Sequence, residues 1–405
     1  MSSTPLPIFD SIVAIEKNDA SFTHLSDDYN QKDIQQAFAF LKSYKGSQGT
    51  FNSYRREIER LIHWCALIAK KTFKDLKRND IEEYVYFCQK PPKKWIGKQK
   101  PPRFIEKNGE RIPNYLWRPF IISVPQTKTT EKIGQNKFEL SQGTLKELFA
   151  ILSSFYNYML QEEYVFMNPV ALIRQKSKFI RKQQGQPKIR RLSELQWQYV
   201  IRAAKELAEQ DADTYERTLF IMSMLYSMYL RISELTANDR WIPKMNDFVR
   251  DSDGNWWFTT VGKGNKERQI AVSDAMLSSL KRWRKHLNLS ALPSPADNSP
   301  LLPKTKGKGP IKSTNYIRKI VQYCFDRAID NLNKDGLQEE AQTISEATVH
   351  WLRHTGISDD VKRRPREHVR DDAGHSSSAI TDKYIDIELR ERHRSAKKKP
   401  IFDED

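Results

Sequence analysis

The chain has 405 residues, too many for one small core and suited to two domains, or to one large domain with additions. Its 68 Lys and Arg against 51 Asp and Glu give a formal net charge of +17, so the expected partner is a polyanion, nucleic acid first. Cys65, Cys88 and Cys324 are odd in number, far apart and in no Cys-x-x-Cys pattern, which argues against a disulfide frame or a zinc site. No apolar run reaches the roughly 18 residues of a membrane span, and Met1 to Phe9 lack the order of a secretory leader, so a cytoplasmic protein is expected.

Apolar residues at three- and four-residue steps predict helices over Tyr29–Tyr44 and Thr50–Lys71, the second with Leu61, Trp64, Cys65 and Ile68 on one face. A third helix is expected from Asp80, as N-cap, to about Gln89, and a fourth over Gly143–Glu162, closed by Asn168-Pro169. Between them, Lys90–Asn136 is rich in Pro, Lys and aromatic residues and reads as an insertion of loops and short strands. Its basic residues and tryptophans could touch DNA, but a solvated loop with Trp117 tucked into the core is the favoured reading. Residues 1–172 therefore form a helical N-terminal domain with an insertion at about 90–136.

From Arg174 to Arg191 the chain carries eight Lys or Arg and no carboxylate, broken by Gly185 and Pro187. It reads as a linker, 173–192, whose Arg174, Lys176, Lys178, Arg181, Lys182, Lys188, Arg190 and Arg191 could follow a phosphate backbone. Helices are then expected over Ser193–Ala208 and Thr214–Leu230. Trp256–Val261 and Gln269–Val272 flank the turn Gly262-Lys263-Gly264-Asn265 as a β-hairpin. Further helices are predicted over Asp274–His286, Ser313–Asn333, Thr348 to about Lys362, and briefly near Ser376–Tyr384. The fold class is thus mainly α with a small β-hairpin or sheet.

Four local patterns in this second region carry chemistry. They are Leu230-Arg231-Ile232-Ser233-Glu234-Leu235, Gly262-Lys263-Gly264-Asn265-Lys266-Glu267-Arg268, His350-Trp351-Leu352-Arg353-His354-Thr355, and Gly374-His375-Ser376-Ser377 followed by Tyr384. Cutting a phosphodiester by transesterification needs a nucleophile, donors for two oxygens that gain charge, and an acid for the departing oxygen. Singly, each pattern has an ordinary reading: Arg231 as partner of Glu234, Tyr384 as a half-buried aromatic, His350 and Arg353 as a surface pair.

Together and in this order they resemble the tyrosine recombinase (phage integrase) family, over Ser193 to about Arg390. The resemblance implies a catalytic domain at 193–390 preceded by a helical core-binding domain. It implies that Tyr384 attacks the scissile phosphorus to form a 3′-phosphotyrosine, that Arg231 and Arg353 grip the non-bridging oxygens, and that His350 and His375 bond the same phosphate, His350 also taking the tyrosine proton. Lys263 is implied as the acid for the 5′ oxygen, with Lys266 its competitor. Glu234 is read as a support for Arg231 or a neighbouring helix, and His354 as scaffold. No cofactor, metal or ATP is called for, because side chains supply the charge.

The implied partners are double-stranded DNA and further copies of the chain, as a tetramer on two DNA sites. DNA-bending accessory proteins are possible partners, and the setting is a nucleoid-associated one. The charged tail 391–405 would dock on a neighbouring subunit. Two features depart from the family pattern: Tyr229 stands where Gly is common, and Gly356-Ile357-Ser358-Asp359-Asp360 follows Thr355. A mobile-element integrase is the expected role; a chromosome-dimer resolvase, a type IB topoisomerase-like enzyme and a non-catalytic DNA-binding protein are the alternatives.

Overall fold

Short polar side chains open most of the long helices: Asn30, Ser47, Ser141, Ser193, Asp211, Ser273 and Ser313 each accept a backbone N–H from the first turn. The computed structural model describes residues 4–17, 22, 24–44, 46–122, 138, 140–174, 179, 190–262, 264–382, 384, 396 and 397. Two compact units divide the chain, 1–186 and 187–405. Among the described residues no helix is long and apolar enough to cross a membrane. Cys65, Cys88 and Cys324 are buried free thiols.

The first unit contains α1 (Ile12–Glu16), α2 (Gln31–Ser43), α3 (Gln48–Trp64), α4 (Arg78–Gln89), α5 (Gln142–Gln161) and α6 (Ala171–Arg174). Phe40, Phe51, Leu61, Tyr84, Leu152 and Phe155 lie in its core. Helix α3 widens after Trp64 into a π-helical turn, Cys65–Ala69, which left-handed Lys70 ends. Asp80 is not the cap of α4. Its carboxylate accepts the Lys77 N–H at 2.8 Å and the Lys71 ammonium at 2.6 Å, so the helix starts earlier, at Arg78. Nor does Asn168 close α5, which ends at Gln161; the Asn168 side chain instead accepts the N–H groups of Val170 and Ala171 and starts α6.

As far as Ile122 the insertion folds as expected into loops and short strands; residues 123–136 lie outside the described residues. β1 (Ile96–Gly97) pairs in parallel with β4 (Phe120–Ile121), and β2 (Phe104–Lys107) with β3 (Glu110–Pro113) as a hairpin. Trp95 and Trp117 point inward and are buried.

The second unit begins with α7 (Glu194–Gln210) and α8 (Ala212–Ser227), followed by an antiparallel sheet of β5 (Phe248–Arg250), β6 (Trp256–Val261) and β7 (Glu267–Ala271) in that order. Then come α9 (Asp274–His286), α10 (Thr314–Lys334), α11 (Gln338–Ile344), α12 (Val349–Asp360), α13 (Arg366–Ala373) and α14 (Ser378–Asp382). Helix α8 stops three residues short of the predicted Leu230 because Tyr229 is left-handed, at φ 48°. That reversal turns the chain away from the helix, with Arg231 in extended conformation. Helix α12 lies so close to α8 that a Cβ on Gly356 would stand 2.0 Å from the Tyr226 carbonyl oxygen; only glycine permits this approach.

Candidate active site

Arg231 follows the Tyr229 reversal and opens a short 3-10 turn, Ile232–Glu234. The turn carries Glu234 back beneath it, 1% exposed, where its carboxylate accepts the Arg231 N–H at 2.8 Å and Arg231 Nη1 at 3.0 Å. The same carboxylate takes a two-pronged bond from Arg268 on β7, both contacts 2.8 Å. Burial would raise the Glu234 carboxyl, but Arg268 and then Arg231 hold it below its ordinary value. It is an anion shared by two guanidinium groups. Gly262 lets the hairpin close over them, since a Cβ there would meet Arg268 Nη1 at 3.0 Å and Glu234 Oε1 at 3.1 Å.

Arg353 projects from α12 into the interior at 2% exposure. Its Nη2 donates to the Ala373 carbonyl at 2.6 Å and its Nη1 to the carbonyl of Tyr229. Burial, then the Arg231 charge, lowers it to about 10, which leaves it protonated at neutral pH. The Tyr229 hydroxyl bonds the Asp360 carboxylate and accepts from Arg364 at 3.2 Å, while Arg364 reaches Asp372 at 2.6 Å. The Asp372 carbonyl in turn accepts Arg268 Nε at 2.9 Å. One run of bonds therefore joins the seats of Arg353 and Arg231 behind the site. Both departures from the family pattern take part in it: Tyr229 supplies the carbonyl, and Asp360 anchors Tyr229.

Helix α13 ends at Gly374, left-handed at φ 63°, where a Cβ would meet Arg268 Cδ at 2.8 Å. His375 follows, its Nδ1 bonded to Thr381 Oγ1 at 2.8 Å and its ring stacked on Tyr384 with centroids 5.7 Å apart. The Tyr384 hydroxyl meets His354 Nδ1 at 2.5 Å. His350, exposed and one turn earlier, sets its ring edge-on to His354 with centroids 4.4 Å apart. Burial raises the Tyr384 phenol, and Arg353 and Arg231 offset part of that. His354 and His375 are lowered to about 4, by burial first and then by neighbouring positive groups. His350 is lowered by desolvation, then by Arg353 and Arg231. At neutral pH these imidazoles are uncharged and able to accept a proton.

Arg231, His350, Arg353, His375 and Tyr384 thus come from three separate stretches into one network. Lys263 lies outside the described residues, and Lys266 is exposed at the hairpin, its carbonyl accepting the Gly262 N–H at 2.8 Å. Of the linker set, Arg190 is exposed and Arg191 half-buried; Lys176, Lys178, Arg181, Lys182 and Lys188, the Arg174 side chain and nearly all of the tail 391–405 lie outside the described residues. Sequence reasoning missed two residues. His354, read as scaffold, holds the tyrosine hydroxyl, and its spacing of four from His350 could have shown both rings on one helix face. Arg268 stands two residues before buried Ile270 on β7 and so shares its face, which marks it as inward-facing. Among the described residues no group of three or more His, Cys, Asp or Glu could hold a metal ion.

The phage integrase family matches residues 190–390. The chain is 25% identical over 265 residues to tyrosine recombinase XerC of Leptospira interrogans serogroup Icterohaemorrhagiae serovar copenhageni (strain Fiocruz L1-130), covering 64% of this chain and 74% of that protein. It is 24% identical over 321 residues to tyrosine recombinase XerC of Thermodesulfovibrio yellowstonii (strain ATCC 51303 / DSM 11347 / YP87), covering 77% and 85%. In fold it resembles XerH site-specific recombinase in a post-cleavage complex on palindromic difH substrate, with TM-score 0.55 at 15% identity over 97% of this chain and 99% of that one. It also resembles a lambda integrase dimer bound to a COC′ core site, with TM-score 0.50 at 14% identity over 91% and 80%. Arg231, His350, Arg353, His375 and Tyr384 all fall within the matched residues, and the chain belongs to the tyrosine recombinase (phage integrase) family of DNA strand-transferring site-specific recombinases.

Proposed function

We propose that this chain is a site-specific recombinase of a mobile element that cuts and rejoins double-stranded DNA through a 3′-phosphotyrosine at Tyr384. The observation that carries the reading is the Tyr384 hydroxyl on His354 Nδ1, with the Arg353 and Arg231 charges acting on the same phenol. Tyr384 Oη attacks the scissile phosphorus and passes its proton to His354, or through it to His350. Arg231 and Arg353 hold the non-bridging oxygens, assisted by His350 and His375. As the bond from tyrosine to phosphorus forms, the bond to the 5′ oxygen breaks, and Lys263 protonates that oxygen. Attack by a 5′-hydroxyl reverses the step, so the bond energy is conserved and no ATP is required.

The mobile-element role draws its support from the insertion in the first unit and the long stretch Asn288–Lys312 in the second. A chromosome-dimer resolvase is the second reading, favoured by the XerC relatives. The proposed assembly is a homotetramer on two DNA sites, with DNA-bending accessory proteins as further partners, at the nucleoid. Its support is a fold neighbour, lambda integrase, seen as a tetramer bound to a Holliday junction (TM-score 0.50, 13% identity, 92% of this chain and 85% of that one).

The test uses a nicked duplex from which the 5′ fragment diffuses away after cleavage. The wild-type chain should accumulate a covalent adduct, in excess EDTA as well, and Tyr384→Phe should give none while still binding. An adduct that persists in Tyr384→Phe, or that needs a divalent ion, refutes the mechanism. Exchange between two marked sites then separates recombination from supercoil relaxation.

A further inference from the structure

The first unit carries a built feature that the strand-transfer chemistry does not use. Residues Trp95–Ile122 form a wing rooted by buried Trp95 and Trp117. Arg103 lies over the Trp117 ring at 4.6 Å, donates to the Phe9 carbonyl at 3.1 Å and pairs with Glu59; Arg111 pairs with Asp10. The hairpin of β2 and β3 turns through Asn108 and Gly109, both left-handed. Beyond it, Asn114 fixes the chain: its side-chain oxygen accepts the Leu116 N–H at 3.0 Å and its carbonyl the Trp117 N–H at 3.0 Å. Arg118 Nη1 closes the turn on the carbonyls of Tyr115 at 2.7 Å and Trp117 at 2.6 Å.

This bonded turn holds Tyr115 and Leu116 outward at 68% and 75% exposure. Single exposed apolar residues are ordinary, but an adjacent pair aimed at solvent by a side-chain-locked turn marks a contact surface. Its surroundings are cationic. Between Lys90 and Ile122 there are nine Lys or Arg and two carboxylates, and Lys93, Lys94, Lys98, Lys100 and Lys107 are exposed. Lys98 leaves from the base of the same turn, because a Cβ on its neighbour Gly97 would lie 3.3 Å from Arg118 Cβ. A second copy of this chain, at net +17, would meet that surface with like charge.

We infer that the wing is a duplex DNA contact separate from the catalytic site, with its lysines on backbone phosphates and Tyr115 and Leu116 set as an apolar wedge against the groove. The inference assumes the DNA-binding reading proposed above. The full-length chain is titrated with a random-sequence duplex from about 50 to about 200 mM salt. Lys98→Glu/Lys100→Glu should reduce the slope of log affinity against log salt by about 2, one counterion per lost phosphate contact. Tyr115→Ala/Leu116→Ala should weaken binding about tenfold at unchanged slope. Thermal melting should match wild type in both, since none of these side chains is buried. Wild-type affinity and slope in both variants overturn the inference, as does a change confined to oligomeric state, which would mark a protein contact. Failure of the wild-type chain to bind duplex DNA at low salt instead overturns the DNA reading as a whole.

Discussion

Replacing Glu234 by glutamine keeps the shape of the side chain and removes the anion on which Arg231 and Arg268 both rest. The arm to Arg268 is buried at both ends, 9% and 1% exposed, so its loss leaves an uncompensated guanidinium, at a cost of about 3–5 kcal/mol. The arm to Arg231, whose side chain is 30% exposed, is screened by solvent and adds at most about 1 kcal/mol. For a unit of this size the melting temperature should fall by roughly 6–24 °C. Arg231 also loses the partner that aims it at the phosphate, and the rate of adduct formation on a nicked duplex should drop about 100-fold. Calorimetry of the full chain and a timed adduct assay measure the two effects. The sign with pH is fixed: Glu234 is held below its ordinary value of 4.5, so its contribution is present above that pH and lost as pH falls through the lower folded value. Wild type and Glu234→Gln should therefore converge in stability on acidification below about 4.5. A melting temperature within about 2 °C of wild type, with normal cleavage, would falsify the assignment of Glu234 as the shared seat.

Cleavage rate should decline as His354 takes up a proton near 4; in His354→Ala that decline should be absent from a much lower rate, whereas a limb near 6.5 in wild type would assign the proton to another group. Tyr229→Phe keeps the carbonyl that holds Arg353 but loses the bonds to Asp360 and Arg364. Single-turnover cleavage should slow about tenfold with DNA affinity unchanged, and equal losses in both would show a general packing role instead. Gly356→Ala places a methyl group against the backbone of α8 and should cost more than about 4 kcal/mol, read as loss of a cooperative thermal transition; a folded, active variant contradicts the close approach.

The helices that could be read from sequence are those with an apolar stripe and a polar cap; α9 was placed at Asp274–His286, as observed. Helices α1, α6, α11 and α13 and strand β5 escaped because all of them are short. Helix α13, Arg-Glu-His-Val-Arg-Asp-Asp-Ala, also offers only Val369 and Ala373 to a core. The end of α8 was misplaced because Leu230 continues the apolar pattern while Tyr229 reverses the backbone, and nothing in a tyrosine announces positive φ. At the site, residue types and order were legible, since the chemistry dictates them. Which imidazole touches the tyrosine was not, because that depends on how the segment after Gly374 folds back on α12.

The site gathers Arg231, Arg268 and Arg353 around the Glu234 carboxylate, and Arg353 is lowered by burial first and then by the Arg231 and Arg268 charges. Such a site is under internal pressure that a phosphate diester relieves. By mass action, DNA should then act as a stabilising ligand of the catalytic unit, raising its melting temperature with the logarithm of DNA concentration. The substrate becomes part of the fold's own charge balance, and release of a rejoined duplex leaves behind a less stable protein than the one that held it.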